Sequence, residues 1–311
     1  MTLLNLRHLV EPFFTGFPDT TNPWDIPTNS DVADITHLQG GHVNFTHPAA
    51  NVADPFLSAY SAKSLPVDVA LGKIDSLDIN GSSGGQQGYP ATVPLWYRLL
   101  NCGFRMPASA GTDCFLNRMR SRLPGSDRVY VKIDGPLSYP KWIESLRKGR
   151  SFVTNGPMLE FTGNGRFLGE TLRFEKETRV LAKAQAVSLF PLKTVELVYN
   201  GSVVATGRLS SDRLSGSIDE DVTANRSGWL SVRALGERGE QAHTSPIYVE
   251  VSGKPTRSKE DAEYFLHWID RLEAKLNTRQ RLPNSEIAQR VESQINAARA
   301  VYSAIVTSSR E

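Results

Sequence analysis

Long apolar runs are missing from this 311-residue chain. No stretch reaches the roughly 18–20 residues that a bilayer-spanning helix requires, so no membrane partner is expected. Cysteine is scarce too. Cys102 and Cys114 are the only two, too few for a disulfide framework or a four-thiolate zinc site. Charge of one sign is also in short supply: 35 basic and 33 acidic residues leave a formal net charge of +2. Proteins that grip phosphate backbones usually carry a stronger basic excess, so no nucleic-acid partner is expected. There is no Walker loop, no dinucleotide fingerprint and no Gly-x-Ser-x-Gly elbow. Neither a solenoid repeat nor a low-complexity tract is found. The opening residues, Met1 to His8, lack the basic start, apolar core and cleavage site of a secretory leader, which makes a cytoplasmic location the default expectation.

What is present is ordinary globular material, 40% hydrophobic and 22% charged, at a length that allows two domains and a smaller third. Residues 1–157 alternate helix and strand signals. Asn29 or Ser30 can cap a helix with Val32, Ile35 and Leu38 on one face. Strands follow through Val43 and Phe45, through Ile74, Leu77 and Ile79, and from near Met106 to Asp113. Val129–Ile133 and Ser151–Thr154 read as two more, with a helix through Trp142, Ile143 and Leu146 between them. This alternation predicts an α/β domain with a parallel sheet or barrel, whose chemistry gathers at the C-terminal strand ends. Residues 158–252 switch to period two, with Val180, Ala182, Ala184 and Ala186 alternating and Asn200-Gly201 marking a hairpin, which predicts an antiparallel β-sandwich. Residues 258–311 carry two stripes at helical period, Phe265 to Leu276 and Ile287 to Ile305. They predict a C-terminal helical hairpin, started by Ser258 and Asp261, whose apolar side covers the sandwich or a second subunit. A homo-oligomer through these helices is therefore one expected partnership.

The predicted strand ends carry His47, Asp78, Asn80 and Asp113. His47, followed by Pro48, is placed as a metal ligand, because the strand fixes its Cα and the proline turns the chain away. The alternative is a packed or surface histidine. Asp113 is a hard-ligand candidate for a divalent cation, or a cap for the segment that follows. Asp78 and Asn80 share a strand face by period and can line the same cleft, or serve the turn. His37 and His42 read as structural, His8 as ambiguous, and His243 and His267 as unrelated to a site. Arg118, Arg120, Arg122 and Arg128 read as a solvated loop before an anion site. Cys114 has no neighbour that would activate it as a nucleophile.

Several runs resemble the CehA/McbA family of metallohydrolases, part of the PHP (polymerase and histidinol phosphatase) superfamily. They are Pro27–Asp34, Leu65–Lys73, Trp96–Arg105, Ala110–Asp113 and Gly149–Pro157. The resemblance implies a distorted α/β barrel binding zinc or manganese, then a β-rich region, and hydrolysis of an ester, carbamate or phosphoester in a small-molecule substrate. It implies His47 and Asp113 as metal ligands and Asp78 as a catalytic residue lining the site. It also shows departures. Phe115 stands where the family's Asp-x-His motif has histidine, and the His-x-His strand that opens the superfamily is missing. The chain thus reads as the C-terminal part of such a barrel, truncated of its first ligands. The alternative is a catalytically incomplete fragment or paralogue that binds or assembles through its sandwich and hairpin.

Overall fold

The computed structural model describes residues 1–13, 15–48, 64–81, 92–119 and 121–308. Strands β1 (Thr2–Leu4), β2 (His42–Phe45), β3 (Ser76–Gly81) and β4 (Ala108–Gly111) form a four-stranded sheet in that order. β2, β3 and β4 run parallel, and β1 lies antiparallel on the edge. Parallel neighbours need crossovers: α2 (Leu65–Ala70) lies between β2 and β3 and α3 (Thr92–Asn101) between β3 and β4, while α1 (Asn29–Leu38) lies between the antiparallel β1 and β2. The described residues form an open sheet, and a barrel is not shown.

Helix α1 departs from the expected pattern at both its cap and its face. Thr28 rather than Asn29 or Ser30 is the N-cap, in a reciprocal capping box with Asp31, which satisfies two orphan backbone donors at once. Its buried face is Ser30, Ala33 and Thr36, while Ile35 and Leu38 are exposed. Small side chains let the helix approach closely: a Cβ added at Gly41 would lie 2.6 Å from Thr36 Cγ2. The Thr36 and Ser30 hydroxyls bond to Val32 O and to Asp68, so the polar face is satisfied internally.

The next two strands correct the expectation of a parallel set. β5 (Arg128–Val131) and β6 (Ser151–Thr154), with α4 (Tyr139–Arg147) between them, pair antiparallel. Beyond β6 comes β15 (Gln241–Thr244). They thus join an eight-stranded sheet with β14 (Gly228–Gly236), β10 (Leu192–Tyr199), β11 (Ser202–Thr206), β16 (Ile247–Val251) and β8 (Thr171–Phe174). A distant segment chose their partner, which local periodicity cannot reveal. A smaller sheet of β12 (Arg208–Leu209), β13 (Ser215–Ala224), β9 (Thr178–Val187) and β7 (Met158–Gly163) faces it. Phe161, Val180, Ala182 and Ile218 share one core with Val195, Leu197, Leu230 and Val232, a sandwich-like packing. The Asn200-Gly201 hairpin is as expected: both residues adopt positive φ, 51° and 87°, as a two-residue β-turn requires.

Helices α5 (Lys259–Arg279) and α6 (Ser285–Ser308) form the C-terminal pair, and Ser258 caps α5 through the Asp261 amide. Their apolar stripes pack mainly on helices of their own chain. Phe265, Trp268, Ile269, Ile295 and Tyr302 are buried in one core with Leu65, Val67, Trp96 and Leu99 of α2 and α3. Tyr302 Oη donates to Pro66 O at 3.0 Å, and Asp261 takes Arg98 Nη1 at 2.5 Å and Asn101 Nδ2 at 3.0 Å. The stripe that motivated an oligomer is thus buried within its own chain.

Two buried serines join the sheets. Ser151 Oγ donates to Ala108 O at 2.8 Å, and Ser245 Oγ accepts from Ala108 N at 2.9 Å. Hydroxyls thus satisfy β4 backbone groups that no ladder reaches on this side.

Candidate active site

Alternation gives the parallel sheet two unlike faces. Val43, Phe45, Leu77, Ile79 and Ala108 enter the helix-covered core. His42, Asn44, Ser76, Asp78 and Ser109, at the alternate positions, are buried but polar. They solve their burial by bonding to one another. His42 Nε2 lies 2.8 Å from Ser76 Oγ, the Ser76 hydroxyl donates to Asn44 Oδ1 at 2.8 Å, and Asn44 Nδ2 donates to Asp78 Oδ1 at 2.9 Å. Ser109 on β4 also bonds the Asp78 side chain. The directions fix one another: with its proton on Asn44, Ser76 must accept from His42, so Nε2 carries the imidazole proton. His42 Nδ1 makes no hydrogen bond among the described residues and lies 4.0 Å from Asp75 Oδ2. Burial pushes this imidazole down to about 4, against the pull of Asp75.

Asp78 is held from both flanking strands just below their C-terminal ends. Burial lifts its carboxyl to about 6, the bonds from Asn44 and Ser109 oppose that rise, and nearby Asp113 adds to it. A carboxyl poised near neutrality inside a polar row can exchange a proton at working pH. Asp113 sits two residues beyond β4 and His47 two beyond β2, both exposed. Each adopts left-handed backbone, φ 50° and 34°, a conformation that costs roughly 1–2 kcal/mol in a residue with a Cβ. Since β3 lies between β2 and β4, the two loops stand roughly two strand spacings apart, about 10 Å.

The structure therefore brings His47, Asp78 and Asp113 to one edge, with Asp78 and Asp113 within each other's field. It separates Asp78 from Asn80. A register irregularity falls between them, and Asn80 Oδ1 instead accepts from Gln241 Nε2 of β15 at 2.7 Å. Among the described residues, no group of three or more His, Cys, Asp or Glu is placed to hold a metal.

Other candidates take local roles. His37 Nε2 pairs with Asp75 Oδ2 at 2.9 Å, near the opposite end of the sheet. His243 is buried 2.6 Å from Tyr97 Oη, amid Trp96 and Trp229 at the joint between α3 and the sandwich. Arg122 bonds Asp127, Arg128 bonds Gly125 O, and Arg118 lies over Phe115; Arg120 is outside the described residues. Cys114 is partly buried, and no ligand geometry gathers about it.

Sequence reading missed Asn44, Ser76 and Ser109, and took His42 as merely structural. The signal was present in His42-Val43-Asn44-Phe45 and Ser76-Leu77-Asp78-Ile79, where polar and apolar residues alternate inside strands buried on both faces. It also missed Asp68, a buried α2 carboxyl that burial lifts to about 6 against hydrogen bonds from Ser30, Ser64 and Asn29.

No family model matches the chain, and no curated protein matches it. Among solved structures it is similar to the fibronectin(III)-like modules of Clostridium thermocellum CbhA, with 16% identity, 30% of this chain and 98% of that one covered, and a TM-score of 0.23. It is also similar to a polysaccharide lyase, with 16% identity, 38% of this chain and 14% of that one covered, and a TM-score of 0.22.

Proposed function

We propose that this chain is a metal-dependent hydrolase of the PHP type, built on the C-terminal part of that barrel, with its working edge at the C-terminal ends of β2, β3 and β4. The observation that carries the reading is the position of Asp78, a buried carboxyl near neutrality, directly below an edge that presents one imidazole and one carboxylate on strained backbone. His47 and Asp113 are of the right chemistry for zinc or manganese. Their number is not sufficient. A catalytic zinc takes three protein ligands, and the described residues supply no such group; no catalytic step is assigned to a metal. The chain's own contribution is that Asn44 and Ser109 orient Asp78, and Asp78 holds or releases a proton beneath the edge. The substrate class is an ester, carbamate or phosphoester.

Equilibrium titration of the purified chain with Zn²⁺ and Mn²⁺ tests the reading. One ion per chain is expected, with affinity falling at least tenfold in His47→Ala and in Asp113→Ala. No stoichiometric uptake, together with no effect of His47→Ala, refutes it. The short donor set favours a second reading in that event, a catalytically incomplete relative that binds or assembles through its sandwich.

A further inference from the structure

A cleft of about 600 Å³ opens between β5–β6 and β7–β9, and its lining includes none of His47, Asp78 and Asp113. Its origin is topological. β7 ends the smaller sheet and packs across β14 and β15, while the larger sheet continues through β6 to β5. The facing pair Tyr130 and Phe152 is thus left partly uncovered. Their rings stack with centroids 5.1 Å apart and planes 8° from parallel. Phe167 forms a side wall, with Lys132 Nζ 3.3 Å from its ring centroid. Exposed flat rings in a concave site of this volume are the ordinary makings of a small-molecule pocket.

The charges select the ligand. Three cations bracket the aromatic floor. Arg128 lies 5.8 Å from the Tyr130 ring, Arg150 borders β6, and Lys132 follows β5. Arg150 is paired with Asp134, whereas Lys132 makes no ion pair among the described residues. The lining's carboxylate, Glu160, stands on the opposite wall, on β7. We infer that this cleft binds a small planar aromatic anion, its ring against Tyr130 and Phe167 and its acidic group at Lys132. The exposed ammonium is held against the Phe167 ring beside the cleft, where an incoming carboxylate can pair with it.

Calorimetric titration of the full chain with 2-naphthoate, and separately with the neutral analogue 2-naphthalenemethanol, tests the inference. Naphthoate is expected to saturate one site and to bind at least tenfold tighter than the alcohol. Lys132→Met should abolish that preference while leaving alcohol binding unchanged, and Phe167→Ala should weaken both ligands at least fivefold, with circular dichroism unaltered in each variant. Absence of saturable binding by wild type overturns the inference. So does equal affinity for the two ligands, or naphthoate binding that survives both substitutions. His47→Ala should leave the affinity for naphthoate unaltered, which separates this site from the sheet edge.

Discussion

Replacing Asp78 by asparagine should make the protein more stable at neutral pH, although it removes a buried, hydrogen-bonded side chain. The folded carboxyl stands at about 6, against an ordinary value of 3.8. The folded state therefore holds the proton more tightly than the unfolded chain. Stability from this group is fully present below about pH 4 and is lost as pH rises through about 6. A shift of about 2 units corresponds to about 3 kcal/mol lost by pH 7.5. Asparagine has nearly the same shape and never ionises. Its oxygen can accept from Asn44 Nδ2, and its amide can face Ser109, whose hydroxyl turns to accept. Asp78→Asn should thus gain about 2–3 kcal/mol at pH 7.5 and almost nothing at pH 4. Urea unfolding followed by circular dichroism, with EDTA present, reads the difference at each pH. A loss of stability at pH 7.5, or an equal change at both values, would show that Asp78 is held as a stable anion. Asp78 would then not be a carboxyl poised near neutrality. In the expected outcome the native aspartate costs stability at neutral pH, as residues retained for function do.

Burial holds His243 down at about 3, against its bond to Thr244 O. Its imidazole should therefore remain neutral at pH 5 in long-range ¹H–¹⁵N spectra, and its contribution to stability should be lost only as pH falls below about 6.5; titration near 6.5 would contradict the packing at the joint. Trp268→Ala should cost about 3–5 kcal/mol in urea unfolding and expose the turn between α5 and α6 to protease, since Trp268 is 2% exposed in the core shared with α2 and α3; a loss under about 1 kcal/mol would mean that the helical pair is only loosely attached.

The elements of this fold were largely legible in order along the chain, because each rests on a short-range signal. Period two marked β9, positive-φ residues marked the β10–β11 turn, and helical stripes marked α5 and α6. The edge bearing His47, Asp78 and Asp113 was legible for the same reason, since parallel strands expose their C-terminal ends together. The sequence did not reveal which surfaces meet. α1 buries Ser30, Ala33 and Thr36 because close approach of backbones, rather than bulk hydrophobicity, governs its contact. β5 and β6 left the parallel set because β15, remote in sequence, offered the pairing. The helical stripes found their cover on α2 and α3, elements far earlier in the chain. A single irregularity between Asp78 and Asn80 sent two residues of like spacing to different partners.

Composition and periodicity by themselves determined that this is a mixed α/β chain with a β-rich middle and a helical end, since those properties are set by neighbours a few residues apart. Tertiary structure alone decided that Asn44, Ser109 and Asp78 would meet, that Asp78 would be poised near neutrality, and that Tyr130, Phe167 and Lys132 would frame a cleft. Each of these depends on desolvation and on contacts between remote segments, and the energy of a charge or a ring changes with what surrounds it.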